Sequence, residues 1–156
     1  MLQPADKAPD FELPLLNGGT WWLAEALRER PVLLAFFKIS CPTCQLTFPF
    51  LQRLADSANK DAPRLVAISQ DNVSDTTYFQ QRFGVSMPTL IEDSRTWATS
   101  NAYQITSVPS LFLIGKDGTI ARSSEGFHRA GLEKLAELFA VPIFGPEDHV
   151  PAVKPG

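Results

Sequence analysis

Six consecutive apolar residues, Val32 to Phe37, run without alternation and lead, after three intervening residues, into Cys41-Pro42-Thr43-Cys44. An unbroken apolar run of strand length is what a strand buried on both faces requires. Such a strand needs a covering layer on each side, which restricts the chain to a sheet enclosed by helices. After Cys41 the spacing turns helical. Leu46, Phe50 and Leu54 recur every four positions with Leu51 and Ala55 beside them, a core-facing stripe. Pro42 suits the first helical position, where its missing N–H costs nothing. Pro49, inside the helix, is expected to kink it. Cys41 thus falls between the end of a buried strand and the start of a helix, where open α/β sheets place their sites.

The chain has no other cysteines, so a scaffold stapled by several disulfides is excluded. A bond between Cys41 and Cys44 would close a tiny loop and remove little unfolded-chain entropy. Structural zinc wants four Cys or His ligands. There is no second C-x-x-C, and His128 and His149 do not stand at finger spacing. No metal and no cofactor is expected; the dithiol itself is the redox centre. A sulfur at a helix N-terminus faces unpaired backbone N–H groups and the positive end of the dipole, both of which favour thiolate. Such sites lower a cysteine pKa from ~8.5 into the range ~3.5–7.5. Cys41, at the cap position, therefore reads as the nucleophile, and Cys44, one turn deeper, as the resolving thiol. Two inert core cysteines would need neither Pro42 nor the strand-to-helix placement.

Elsewhere strands and helices alternate. Asn17 to Gly19 reads as a hairpin turn. Leu23 to Arg30 reads as a short helix stopped by Pro31. Leu65 to Ile68 is a second buried strand, and Asp75 caps a helix that carries Phe79 and Phe83 and closes at Gly84. Thr89 to Ile91 is a short strand, and Arg95 to Tyr103 a short helix whose Trp97 and Tyr103 are expected in the core. Ser110 to Ile114 and Thr119 to Arg122 flank the Asp117-Gly118 turn. Leu132, Leu135, Ala136 and Phe139 form the apolar face of a last helix. The segment from Pro142 to Gly156 holds four prolines and is expected to run extended over the surface. This order implies one domain over residues 1–156, with a central mixed sheet, parallel in its middle, and helices on both faces.

Seventeen acidic residues against 14 basic give a net charge of −3, so no basic field recruits nucleic acid or an anionic lipid surface. No apolar run approaches the ~18 residues of a membrane span. Residues 1–6 lack the basic start and apolar stretch of a signal peptide. The chain as written reads as cytoplasmic, or as extracytoplasmic if a leader has been removed.

The segment Phe36-Phe37-Lys38-Ile39-Ser40-Cys41-Pro42-Thr43-Cys44, with Pro49 five residues on, resembles the active-site segment of the thioredoxin superfamily. Val108-Pro109-Ser110-Leu111-Phe112-Leu113-Ile114, with Asp117-Gly118 following, resembles that superfamily's cis-proline strand and hairpin. The opening Ala8-Pro9-Asp10-Phe11-Glu12-Leu13 and the extra segment at about 71–103 are similar to the redoxin branch, which holds TlpA/ResA-like oxidoreductases and AhpC/TSA proteins. The resemblance spans about residues 8 to 140. It implies a thioredoxin-like fold, a cis Val108–Pro109 bond, and a substrate surface formed by Val108, Pro109, Pro42 and Thr43. An extended substrate peptide would pair there with the Val108 backbone like an added strand.

Three positions depart from the familiar pattern. Ser40 precedes the first cysteine where thioredoxins have Trp, Ala35 stands where they have a buried acid, and Thr47 stands where ResA-like proteins often have Glu. Proton transfer at Cys44 falls to water, Thr47, Asp71, Glu92 or Asp93, with no ground in the sequence for choosing. Lys38 reads as a solvated loop lysine, His128 as a surface residue, and Arg95 and Arg122 as solvated. The expected function is thiol-disulfide exchange with protein or small disulfides by a monomer served by a separate electron donor or acceptor. A peroxiredoxin-like peroxide reductase needs Thr or Ser three residues before its cysteine and Pro seven before. Those positions are Lys38 and Leu34 for Cys41, and Cys41 and Phe37 for Cys44, so neither cysteine fits. A redox-sensing or binding module on the same fold is the remaining alternative.

Overall fold

The run Val32–Phe37 forms a strand with all six residues buried. A computed structural model describes residues 1–57 and 59–156. In chain order its elements are β1 (Glu12–Pro14), β2 (Thr20–Trp22), α1 (Leu23–Ala26), β3 (Val32–Phe37), α2 (Pro42–Ala55), β4 (Arg64–Ser69) and α3 (Val73–Phe83). There follow β5 (Thr89–Ile91), α4 (Ala98–Ala102), β6 (Ser110–Ile114), β7 (Ile120–Glu125), β8 (Phe127–His128), α5 (Arg129–Glu137) and β9 (Val153–Lys154). The main sheet has five strands in the order β5-β4-β3-β6-β7. β3 lies parallel to β4 and antiparallel to β6, and β7 is antiparallel to β6. The sheet is mixed as expected, but its parallel part is the β5-β4-β3 side rather than the middle, since the central strand β3 has one parallel and one antiparallel neighbour. The 71–103 segment contributes α3, the edge strand β5 and α4.

Aromatic side chains join the layers next to the cysteines. The Phe37 ring of β3 lies 4.4 Å from Phe48 of α2 and 4.9 Å from Phe79 of α3. Phe48 is fully buried, so truncating it leaves a hole that these rings can only partly fill. Phe48→Ala should cost about 3–5 kcal/mol. It would appear as a lower denaturant midpoint with an unchanged slope.

Four local expectations are corrected. The helix expected over Leu23 to Arg30 ends at Ala26. Arg28 and Glu29 then bond to carbonyls three residues back, a tightening ahead of Pro31, which disfavours helical geometry in its predecessor. The cap of α3 is Asn72, whose side chain accepts from Asp75 N at 2.8 Å, so Asp75 sits inside the first turn. The buried face of α2 is Cys44, Thr47, Phe48, Leu51 and Leu54, with Leu46 and Phe50 only half-buried. The two half-buried positions still read as core because the 142–156 segment covers that side; Phe144 stacks edge-on against Phe50 at 4.9 Å. Trp97 is not core. It precedes α4 with a left-handed backbone and is 39% exposed.

Candidate active site

Cys41 is the N-cap of α2. Its sulfur accepts a hydrogen bond from Cys44 N at 3.1 Å, and Pro42 opens the helix behind it. The loop before it is pinned at Ile39: Ile39 N donates to an Asp71 carboxylate oxygen at 2.8 Å, and Gln45 Nε2 donates to Ile39 O at 2.9 Å. The thiol of Cys41 reaches the Val108 carbonyl at 3.3 Å. Its pKa is lowered from 9.0 to about 6. The side-chain hydrogen bond from Cys44 is the main cause, opposed by partial burial and helped by the Cys44 and Thr43 backbone N–H groups and the Lys154 charge.

Cys44 is fully enclosed, and burial pushes its thiol well above the usual range, with the neighbouring Cys41 sulfur adding to the effect. The two sulfurs thus differ in the direction that attack and resolution require: one ionised near neutrality, the other held protonated until needed. Of the groups considered for its proton, Thr47 donates to Thr43 O at 2.6 Å. Both Glu92 oxygens are engaged by Ser100, and Asp93 pairs with Arg95 at 2.9 Å. Asp71 is the one of the three carboxylates whose charge acts on Cys44.

The Val108–Pro109 bond is cis, and both residues are buried beside Cys41. Pro109 O accepts from Gly126 N at 2.9 Å, and Ser110 Oγ donates to Ser107 O at 2.7 Å, which fixes this loop on the end of β6. Cys41, Thr43, Val108 and Pro109 therefore share one site, with Pro42 exposed at its rim. Lys38 does not act on Cys41; its ammonium lies 5.0 Å over the Trp97 ring. His128 is exposed before α5, and Arg122 is exposed on β7.

The sequence reading missed one part of the site. The segment from Pro142 does not merely cross the surface. It pairs as β9 with β8, and Thr43 Oγ1 donates to Pro155 O at 2.5 Å. The cation that acts on Cys41 is Lys154 of this segment. Long sequence separation hides such a contact; the available signal was weak, β-branched residues such as Val150 and Val153 among the prolines. Among the described residues, no cluster of three His, Cys, Asp or Glu side chains could hold a metal.

The chain resembles known proteins along most of its length. It is 29% identical over 120 residues to the thiol-disulfide oxidoreductase ResA of Geobacillus kaustophilus, covering 76% of this chain and 67% of that protein. ResA of Halalkalibacterium halodurans is 26% identical over 141 residues, covering 89% and 76%. Among solved structures, a Chlorobium tepidum protein described as a thiol:disulfide interchange protein of the DsbE type superposes with a TM-score of 0.77. It is 26% identical and covers 90% of this chain and 97% of its own. The fold is thioredoxin-like. The sequence profile of the AhpC/TSA family matches residues 4–123, and the chain belongs to that family.

Proposed function

We propose that this thiol-disulfide oxidoreductase exchanges its Cys41–Cys44 pair with protein disulfides presented as extended segments. In the reducing direction the Cys41 thiolate attacks one sulfur of the substrate disulfide. The substrate's other sulfur leaves as a thiolate, and a mixed disulfide forms. Cys44 then loses its proton and attacks the Cys41 sulfur, releasing the second substrate thiolate. Two electrons have passed to the substrate, and Cys41–Cys44 is a disulfide. The oxidising direction is the same sequence reversed. The negative charge of Asp71 favours the protonated form of Cys44, which keeps the resolving thiol in reserve until the mixed disulfide has formed. One observation carries this reading: the exposed-side sulfur caps α2 against Val108 while its partner sits sealed behind it.

The chain supplies every residue of this site, which supports a working monomer. It holds no third cysteine, so its disulfide is reset by a separate thiol or disulfide partner. The peroxide-reductase reading is weaker, because the position three before Cys41 is a lysine committed to Trp97. Reduced protein should catalyse insulin reduction in the presence of a small dithiol and consume hydrogen peroxide no faster than a free thiol does. Rapid peroxide turnover with no insulin reduction would reverse the assignment. Absence of both would favour the sensing module.

A further inference from the structure

Residues 152–156 are held over the active site by contacts from several directions. Arg129 N donates to Ala152 O at 2.9 Å, and Val153 and Lys154 pair with His128 and Phe127. Pro155 O takes the Thr43 hydroxyl, whose side chain is otherwise buried. Gly156 comes so close to the Val108 carbonyl that a Cβ there would overlap it. The opposite wall also leaves no space: a Cβ on Gly126 would stand 2.7 Å from Lys154 O. Upstream, the segment is anchored by Arg53, which donates to Ile143 O at 3.0 Å and pairs with Asp148 at 2.6 Å. Phe144 adds ring contacts to Phe50 and Phe127.

We infer that residues 153–156 are an internal strap lying in the groove where an extended substrate would meet Thr43 and Val108, so that strap and substrate compete for Cys41. This rests on the reading of Thr43 and Val108 as the substrate surface. The strap is itself an extended, proline-bearing segment, so its seat indicates what the groove accepts: one strand, with a glycine where it passes Val108 and its backbone close against Gly126. A protein whose groove is closed most of the time binds substrate with an affinity reduced by the open fraction. The strap's few hydrogen bonds make opening thermally accessible.

Two variants test this, one lacking residues 152–156 and one full-length with Gly156→Val, which unseats the strap without removing buried side chains. Both should react faster with iodoacetamide at Cys41. Both should also show a KM for insulin lower by roughly five- to thirtyfold, the span set by one or two net hydrogen bonds, with little change in kcat. A synthetic Val-Pro-Ala-Val-Lys-Pro-Gly peptide should restore the higher KM to the shortened form. Unchanged alkylation and unchanged KM in both variants, with insulin reduction intact, would overturn the strap. Should no form reduce insulin, the functional reading fails instead, and the alkylation rates alone decide whether the strap gates Cys41.

Discussion

Cys41→Ser should abolish disulfide exchange, and Cys44→Ser should give a protein that reacts once and stops. The two substitutions are chemically alike, so the difference lies in position. Cys41 is the sulfur that reaches the rim, capping α2 against the Val108 carbonyl. A hydroxyl there has no accessible anion at neutral pH, and the first mixed disulfide never forms. In Cys44→Ser that first step survives, but no thiolate stands behind Cys41 to displace the product. The mixed disulfide should accumulate to about one equivalent and be visible as a mass increase that added dithiol removes. Multiple turnovers by Cys44→Ser at the parent rate would show that resolution comes from outside the pair. Burying a serine hydroxyl at the fully enclosed Cys44 position costs about 1–3 kcal/mol, so a thermal melt must first confirm that the variant is folded.

The parts of this molecule that could be read in its sequence are those where one local rule dominates. Val32–Phe37 matches its observed strand end to end because an apolar run without alternation has few other uses. Gly84 ends α3 with φ +65 because that position needs a left-handed backbone. The cysteine pair and Pro42 carry enough chemistry to locate the site from spacing, and the resemblance to the thioredoxin superfamily adds Pro109 to it. What escaped notice depends on contacts between distant residues. Asn72 and Asp75 are both sound caps, and only the path of the chain leaving β4 selects the first. Trp97 reads as core until Lys38, far away in sequence, is found over its ring. The strap is the extreme case. Pro151 and Pro155 signal an extended chain, but nothing in that composition says that Thr43, 112 positions earlier, donates to it.

Alkylation of the reduced protein should follow a single ionisation with its midpoint near pH 6, the value set for Cys41 chiefly by the hydrogen bond from Cys44. At pH 7 such a group is roughly nine-tenths thiolate, against roughly one part in a hundred at the ordinary value of 9.0. The rate should be nearly flat above pH 7 and fall roughly tenfold per unit below 6. Lys154→Gln should raise the midpoint only slightly, because that charge is the smallest of the causes. The same ionisation fixes the pH dependence of stability. Between pH 6 and 9 the unfolded reduced chain holds the Cys41 proton and the folded one does not, so this contribution grows as pH rises and is lost as pH falls through 6. Cys44 acts oppositely: buried and protonated in the folded state, it costs stability once the unfolded chain ionises above pH 9. The oxidised protein has neither group. Its stability relative to the reduced form should therefore drop steadily from pH 6 to 9, making the pair a stronger oxidant over that interval than an unperturbed dithiol would be. Denaturant titrations of both redox forms across this range should show the reduced form gaining stability relative to the oxidised form as pH rises, and parallel curves would mean that Cys41 is not a thiolate at neutral pH.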